Sequence, residues 1–404
     1  MNKNNKQQIL EGSRAIALTV KNIRPAVVSA YPITPQTHIV EDLAKFKADG
    51  QADYEYVRAE SEFAAASIVL GASATGVRAY SATSSQGLLL MAEVVYNIAG
   101  MRLPVVMTCA NRAVSAPINI WNDQQDVMAV RDAGWILLFA ENHQEAVNQH
   151  IMAFKLAEQL KLPVMVNVDG FIMTHTYEPV TIPSIEQIKK YLPDYKPEPG
   201  QFLNPTNPVT LGALATPAHY MEIRQELHED LTASLKIIDQ EYKKYNSLIE
   251  NCSSWLGQGK LKIESLGRKK DKKIDNGLIE YVGSNNPDTI LVAMGSVCGT
   301  IKEAAGVSDK IGILKIKAYR PFPAEQILKI IKPVKNIAVI DKSISLGHIG
   351  TLASEIKAIA QGKTAANISS FIVGLGGRDI TKEIIKKIIK QAGKKSDKAI
   401  FIGK

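Results

Sequence analysis

Apolar positions fall into two kinds of run, which alternate from about residue 10 to about residue 180. Short dense runs rich in Val, Ile, Tyr and Ala predict strands over residues 26–30, 54–57, 77–81, 105–109, 135–139 and 164–168. Between them apolar residues recur at helical spacing, predicting helices over 37–46, 63–70, 87–98 and 142–159. This alternation is the mark of βαβ units and a parallel sheet. Leu103-Pro104-Val105 and Leu162-Pro163-Val164 put proline where a strand starts, the place at which a missing N–H costs least.

The pattern then changes. Seven of the 18 prolines fall within 181–217 (Pro183, Pro193, Pro197, Pro199, Pro205, Pro208 and Pro217), which predicts a largely extended strap over the surface or against another subunit. Over 218–251, Leu227, Leu231, Leu235, Ile238 and Tyr242 recur at helical spacing and predict one long amphipathic helix. Residues 257–276, rich in Lys and Gly, read as a linker. Beyond them a second α/β pattern begins, with strands expected over 289–294, 312–315, 337–340 and 371–374. Three units result: 1–256, a linker over 257–276, and 277–404.

Composition narrows the class. Hydrophobic residues make up 46% and charged residues 22%, as in ordinary soluble globular chains, and no uncharged apolar run is long enough to span a membrane. The polar N-terminus lacks a signal-peptide core, so the expectation is cytoplasmic. Cys109, Cys252 and Cys298 lie far apart with no Cys-x-x-Cys, which excludes an iron–sulfur or zinc site of the usual spacing in this chain. His38, His143, His175 and His348 also show no metal-ligand spacing, and no metal ligands are assigned.

The net charge of +8 sits largely in 260–273 and in the lysine-rich last helix, where Ile384, Ile385, Ile388 and Ile389 form one apolar stripe. No aromatic residues interleave with these lysines, so nucleic-acid binding is not expected. An acidic partner remains a use for them. Gly295-Ser296 either caps a helix or binds an anion, and Gly374-Leu375-Gly376-Gly377 reads as a loop.

Candidate chemistry gathers after the early strands. Glu62 opens a helix of small apolar residues, where a carboxylate is costly without a partner; alternatively it is simply an acid favoured by the helix dipole. Glu55 and Glu60 read as surface charges. Thr34-Pro35 reads as an N-cap followed by proline at the first helical position, and such a helix start also attracts anions such as a 2-oxo acid carboxylate. Arg112 follows the strand at 105–109, where ligands collect in open α/β sheets, and its guanidinium can hold a carboxylate; the alternative is a salt bridge to Asp123 or Asp126. The polar loop 121–126 reads as lining the site entrance.

Six motifs occur in order: Tyr31-Pro32-Ile33-Thr34-Pro35-Gln36-Thr37, Glu60-Ser61-Glu62, Thr83-Ser84-Ser85-Gln86-Gly87-Leu88, Asn111-Arg112-Ala113, Asn122-Asp123-Gln124-Gln125-Asp126 and Asp169-Gly170-Phe171. Together with Ala318-Tyr319-Arg320-Pro321-Phe322-Pro323 they closely resemble the α subunit of pyruvate:ferredoxin oxidoreductase (pyruvate synthase), within the 2-oxoacid:ferredoxin oxidoreductase family. The resemblance implies a pyrimidine-type thiamine diphosphate-binding parallel-sheet domain followed by a transketolase C-terminal-like α/β domain. It implies that Glu62 contacts the aminopyrimidine ring, with Tyr31, Pro32 and Ser84 also on the cofactor, and that Thr34 and Arg112 contact substrate. It implies oxidative decarboxylation of pyruvate with coenzyme A to acetyl-CoA and CO2, or the reverse, with electrons passed to ferredoxin.

The usual Gly-Asp-Gly…Asn motif for diphosphate and Mg2+ is missing, since Val168-Asp169-Gly170 is followed by Tyr195 where Asn is required. Partner subunits of beta, gamma and delta type are therefore expected to supply the diphosphate and Mg2+ site, the [4Fe–4S] clusters and much of the coenzyme A contact. Other expectations are a 2-oxoisovalerate or other 2-oxoacid version, a thiamine diphosphate E1-like component without electron transfer, or a non-catalytic paralogue. Retention of Glu62 and Arg112 argues against the last.

Overall fold

The computed structural model describes residues 7–251, 272–306, 310–394 and 396–403. Strand β1 (Gln8–Glu11) leads into helix α1 (Gly12–Ile23), neither of which the periodicity predicted. The βαβ alternation follows as expected: β2 (Val27–Ala30), α2 (Thr37–Ala48), β3 (Glu55–Arg58), α3 (Glu62–Ala74), β4 (Ala79–Thr83), α4 (Ser85–Leu90), α5 (Ala92–Gly100), β5 (Val106–Asn111), α6 (Gln125–Ala129), β6 (Ile136–Phe139), α7 (His143–Leu160) and β7 (Val164–Asp169). The helix expected over 87–98 is two helices that meet at Met91.

Strands β2 to β7 pair in parallel in the order β6-β7-β5-β4-β2-β3. The central strands β4, β5 and β7 are buried along their whole length, because helices cover both faces. β1 instead pairs antiparallel with β8 (Tyr177–Val180), Glu11 lying opposite Tyr177.

The proline-rich strap is less irregular than expected. It contains α8 (Ile185–Tyr191), started by a capping box in which Ser184 and Gln187 satisfy each other's backbone N–H groups. The strap lies on the first sheet's helices: Leu203 N–H donates to the Ala74 carbonyl, and Arg78 holds both Glu158 and the Pro193 carbonyl. The long helix α9 runs Pro217–Asn251, with Leu227 and Ile238 buried.

Most of the expected linker, and Cys252, lie outside the described residues. Its end is not a linker but strand β9 (Lys272–Asp275), paired antiparallel with β10 (Ile279–Gly283). β11 (Thr289–Ala293), α10 (Val297–Ala305), β12 (Ile311–Ile316), β13 (Ala318–Arg320), α11 (Ala324–Ile331), β14 (Asn336–Asp341), α12 (Thr351–Ala360), β15 (Asn367–Ile372), α13 (Lys382–Gln391) and β16 (Ile400–Phe401) follow. The second sheet has the order β16-β15-β14-β11-β12-β10-β9. On α13, Ile385 and Ile388 are fully buried and Ile384 and Ile389 half-buried, so the isoleucine stripe is the packed face and the lysines are solvated.

The two sheets are stitched together. β13 leaves the second sheet and pairs antiparallel with β6 at the edge of the first. Beside that seam Lys315 meets Glu141 at 2.6 Å, Glu145 at 2.8 Å and Glu280 at 3.2 Å, and Lys302 meets Glu141 and Glu280. Lys317 adds Asp275 at 2.8 Å. Burial alone would push these groups towards neutrality, but the opposite charges win: Glu280 is held down at about 2 by Lys315 and Lys302, and Lys315 is raised well above the usual lysine range by Glu145, Glu141 and Glu280.

Candidate active site

Every residue singled out for chemistry sits beyond the carboxyl end of a parallel strand, where open α/β sheets bind ligands. Tyr31, Pro32 and Thr34 follow β2, Glu62 follows β3, Ser84 follows β4 and Arg112 follows β5. Their common edge is a consequence of topology.

Glu62 occupies the first turn of α3, behind Ser61, whose hydroxyl accepts from the Ala64 N–H as a true N-cap. Only 9% of Glu62 is exposed, yet among the described residues its carboxylate accepts no hydrogen bond and pairs with no cation. It packs against Gly87 in the first turns of α4. A methyl group at Gly87 would lie 2.8 Å from the Glu62 Cγ, 2.9 Å from its Oε1 and 2.5 Å from the Thr83 Oγ1. Glycine is thus required for the two helix starts to approach. The Thr83 hydroxyl is buried and also lacks a partner. An orphan carboxylate beside an orphan hydroxyl, both at the sheet's ligand-binding edge, is a cradle with polar groups to offer.

Arg112 is the second nearly buried charge without an ion pair among the described residues. Its Nη1 donates to the Thr34 carbonyl at 2.9 Å and its Nε to the Asn119 carbonyl at 3.0 Å. No carboxylate lies within 4 Å of its guanidinium among the described residues, so neither Asp123 nor Asp126 forms a salt bridge with it, although Asp126 accepts its backbone N–H. Burial lowers its pKa against the attraction of Asp126, a cost that a ligand's carboxylate would relieve further.

The structure therefore brings Thr34 and Arg112 into contact, but not by the expected route. Thr34 is not an N-cap: the Thr34–Pro35 peptide is cis, Gln36 is the capping residue, and α2 starts at Thr37. The Gln36 side chain holds this turn by donating to the Ala82 carbonyl of β4. Thr34 is exposed, with Tyr31 and Pro32 exposed beside it. Ser84 is fully buried and gives its hydroxyl to the Ala110 carbonyl, so its side chain ties β4 to β5.

The loop expected to line the entrance does something else. Asn122, Asp123, Gln124 and Asp126 are buried, and Trp121 alone is strongly exposed. Asp126 is the hub: its carboxylate accepts the backbone N–H of Ser85 at 3.0 Å and of Arg112 at 2.9 Å, plus the Asn111 side chain at 3.0 Å. It thereby couples the helix that carries Gly87 to the turn that carries Arg112. Burial raises the Asp126 pKa against these donors and pushes the neighbouring Asp123 up to about 6. The hub role was not visible in sequence, because Asp126 is one of several acids in a polar run.

The second α/β unit buttresses this edge. Asp169, at the end of β7, pairs with Lys342 at 2.9 Å, both about 1% exposed, and accepts from Ser296 N–H and hydroxyl. The Gly295-Ser296 turn does bind an anion, but the anion is the chain's own carboxylate. Asp169 is thus fully committed, in line with the rejection of Val168-Asp169-Gly170 as a diphosphate motif. The glycine turn 374–377 is a support as well: Gly377 N–H donates to the Asn122 carbonyl at 2.6 Å, and its positive φ and close contact with Trp121 exclude a side chain. Cys109 and Cys298 are buried thiols whose pKa values burial pushes well up.

This parallel sheet thus carries at one edge a nearly buried carboxylate and a nearly buried guanidinium that have no ion pair among the described residues. Residues 19–244 match the thiamine diphosphate-binding domain of pyruvate flavodoxin/ferredoxin oxidoreductase, and 287–385 match pyruvate:ferredoxin oxidoreductase core domain II. The chain belongs to the pyruvate:ferredoxin oxidoreductase α-subunit family. It is 44% identical to the pyruvate synthase subunit PorA of Methanocaldococcus jannaschii, over 98% of this chain and 97% of that one. It is 40% identical to PorA of Pyrococcus furiosus (98% of each chain), and 39% identical to the ketoisovalerate oxidoreductase subunit VorA of Pyrococcus horikoshii (95% and 92%). In fold it resembles a solved 2-oxoglutarate:ferredoxin oxidoreductase from Magnetococcus marinus, with a TM-score of 0.67 at 20% identity; the match covers 96% of this chain and 66% of that one.

Proposed function

We propose that this chain is the α subunit of a pyruvate synthase, and that it supplies the aminopyrimidine-facing and substrate-orienting half of a thiamine diphosphate site completed by a partner subunit. The observation that carries this reading is the Glu62 carboxylate, nearly buried and unpartnered against Gly87. A carboxylate in that place can share a proton with a ring nitrogen of the cofactor, which when bound supplies the carbanion chemistry. Arg112, whose guanidinium has no ion pair among the described residues, takes the carboxylate of the 2-oxo acid, while Asp126 and the Thr34 carbonyl hold its orientation. Thr34 presents its hydroxyl from the exposed turn beside it. Ser84, whose hydroxyl donates to the Ala110 carbonyl, lies with Tyr31 and Pro32 on the cofactor's side of the site.

The diphosphate with its Mg2+, the [4Fe–4S] clusters and the route to ferredoxin belong to partner subunits. The supporting observations are that Asp169 is consumed by Lys342 and Ser296, and that the sequence holds no cluster of cysteines. Pyruvate is favoured over 2-oxoisovalerate because the PorA relatives reach 44% identity, against 39% and 40% for the VorA chains. The test is 2-oxo acid- and coenzyme A-dependent viologen reduction by the complex copurified anaerobically on this chain. Pyruvate should lead over 2-oxobutyrate, 2-oxoisovalerate and 2-oxoglutarate, and Glu62→Gln should abolish most activity in an intact complex. A lead for another acid removes the substrate assignment; full activity in Glu62→Gln removes the site.

A further inference from the structure

Outside the site, one group of side chains is assembled from segments that are far apart in sequence. Glu11 at the end of β1, His38 in the first turn of α2 and His175 just before β8 each offer a donor atom, and these atoms all lie within 4.8 Å of one another. The histidines have no mutual spacing that a sequence reading could use. We propose that Glu11, His38 and His175 form a binding site for a divalent transition-metal ion, with Zn2+ the best-matched ion.

The donor set is right for it. Two imidazoles and one carboxylate suit Zn2+ and its neighbours, and three protein ligands leave a coordination position for water. Tetrahedral ligands about 2.1 Å from one ion lie about 3.4 Å apart, so an entering ion would part Glu11 Oε1 and His38 Nδ1, now 2.6 Å apart, and draw in the widest pair, at most 4.8 Å apart, by side-chain rotations of the order of an ångström. Glu11 Oε1 and His38 Nδ1 are held together at 2.6 Å, and the His38 and His175 ring centroids lie 4.5 Å apart with the rings tilted by 37°.

The surroundings hold the three donors in place. Thr174 Oγ1 accepts the Phe171 N–H at 2.8 Å and lies 2.7 Å from His175 Nδ1, a hydrogen bond that fixes the ring in either tautomer; in the tautomer that places Nδ1–H against Thr174, Nε2 is left to ligate the ion. A histidine ligand oriented through its other nitrogen is the usual arrangement in metal sites. The backbone of Glu11 is fixed by the β1–β8 ladder, by Gly12 N–H to the Thr176 carbonyl and by Ser13 N–H to the Thr174 carbonyl. Gly12 sits so close to the Met173 carbonyl that any side chain there would collide with it. On the other side Arg14, one turn from Glu11, meets Asp42, one turn from His38, at 2.5 Å. An ion at this point would staple the N-terminal strand, the 171–176 turn and the start of α2, where His38 lies four residues beyond Thr34.

The test uses the full chain, stripped with chelator and dialysed against Zn2+. Wild type should bind about one ion per chain, and His38→Ala and His175→Ala should each weaken binding at least about 100-fold, while His348→Ala, in the second unit, keeps it. Co2+ in place of Zn2+ should give the visible absorption of a four- or five-coordinate site, lost in the same two variants. If those variants fail to fold, wild type decides alone: Zn2+ should protect His38 and His175, but not His348, from diethylpyrocarbonate. No stoichiometric binding, binding that survives both histidine variants, or unprotected histidines would overturn the proposal. None of these readouts depends on oxidoreductase activity, so failure here leaves the proposed function standing.

Discussion

Two regions of this molecule bury charge in opposite ways. At the seam between the sheets, Lys302, Lys315 and Lys317 face Glu141, Glu145, Glu280 and Asp275, and each charge meets at least one opposite charge within 4 Å. At the carboxyl edge of the first sheet, Glu62 meets none and Arg112 meets only carbonyls. The seam is finished within the chain. The edge is left open among the described residues, and under the proposed function its missing partners arrive with ligand and partner subunit. An unpaired charge that is nearly buried weakens the fold that carries it, and sites of function are where such costs are found.

That contrast is sharpest under substitution. Glu62→Gln should lower turnover of the assembled complex by about 10²–10⁴-fold, the usual worth of a positioned proton-transfer group, while thermal stability holds or rises slightly because an unpaired charge is gone. Lys315→Ala should do the reverse. It leaves Glu141, Glu145 and Glu280 crowded without their main cation, at a cost of about 3–5 kcal/mol in urea unfolding, with activity per assembled complex nearly unchanged. If Lys315→Ala instead kills turnover in a stable complex, the seam is part of the site and the distinction collapses.

Arg112→Lys probes the open edge more gently. An ammonium keeps the charge but cannot bridge the Thr34 and Asn119 carbonyls while holding a planar carboxylate. We expect KM for the 2-oxo acid to rise about 10- to 100-fold with a smaller change in kcat. A loss confined to kcat would place Arg112 at the reacting atoms rather than on the substrate carboxylate.

How much of this could be read in advance follows the same line. The parallel strands were legible because β4, β5 and β7 are buried on both faces and so are nearly continuous apolar runs. Glu62 stood out as a charge heading an alanine-rich helix. Strands β1 and β13 were not legible, since a four-residue ribbon half exposed to water and a three-residue edge strand carry no period to detect. Asp126, Asp169 and the Glu11–His38–His175 group escaped for a different reason. Their meaning lies wholly in tertiary contacts, and an aspartate that anchors two turns looks in sequence like one that meets solvent.

The smallest effect tests the closed region through pH. Glu280 has its pKa held at about 2 by Lys315 and Lys302 against an ordinary value near 4.5. A carboxylate depressed in the folded state contributes stability that is complete above its unfolded pKa and is lost as pH falls towards the folded one. Glu145, lowered by Lys315 and Lys317, acts in the same direction. The stability gap between wild type and Glu280→Gln should therefore be flat above about pH 5 and shrink by about 1–2 kcal/mol as pH drops from 4.5 towards 2. A gap that stayed constant into acid would mean that Glu280 is not clamped by the lysines, and that the seam is held by β13 and apolar packing alone.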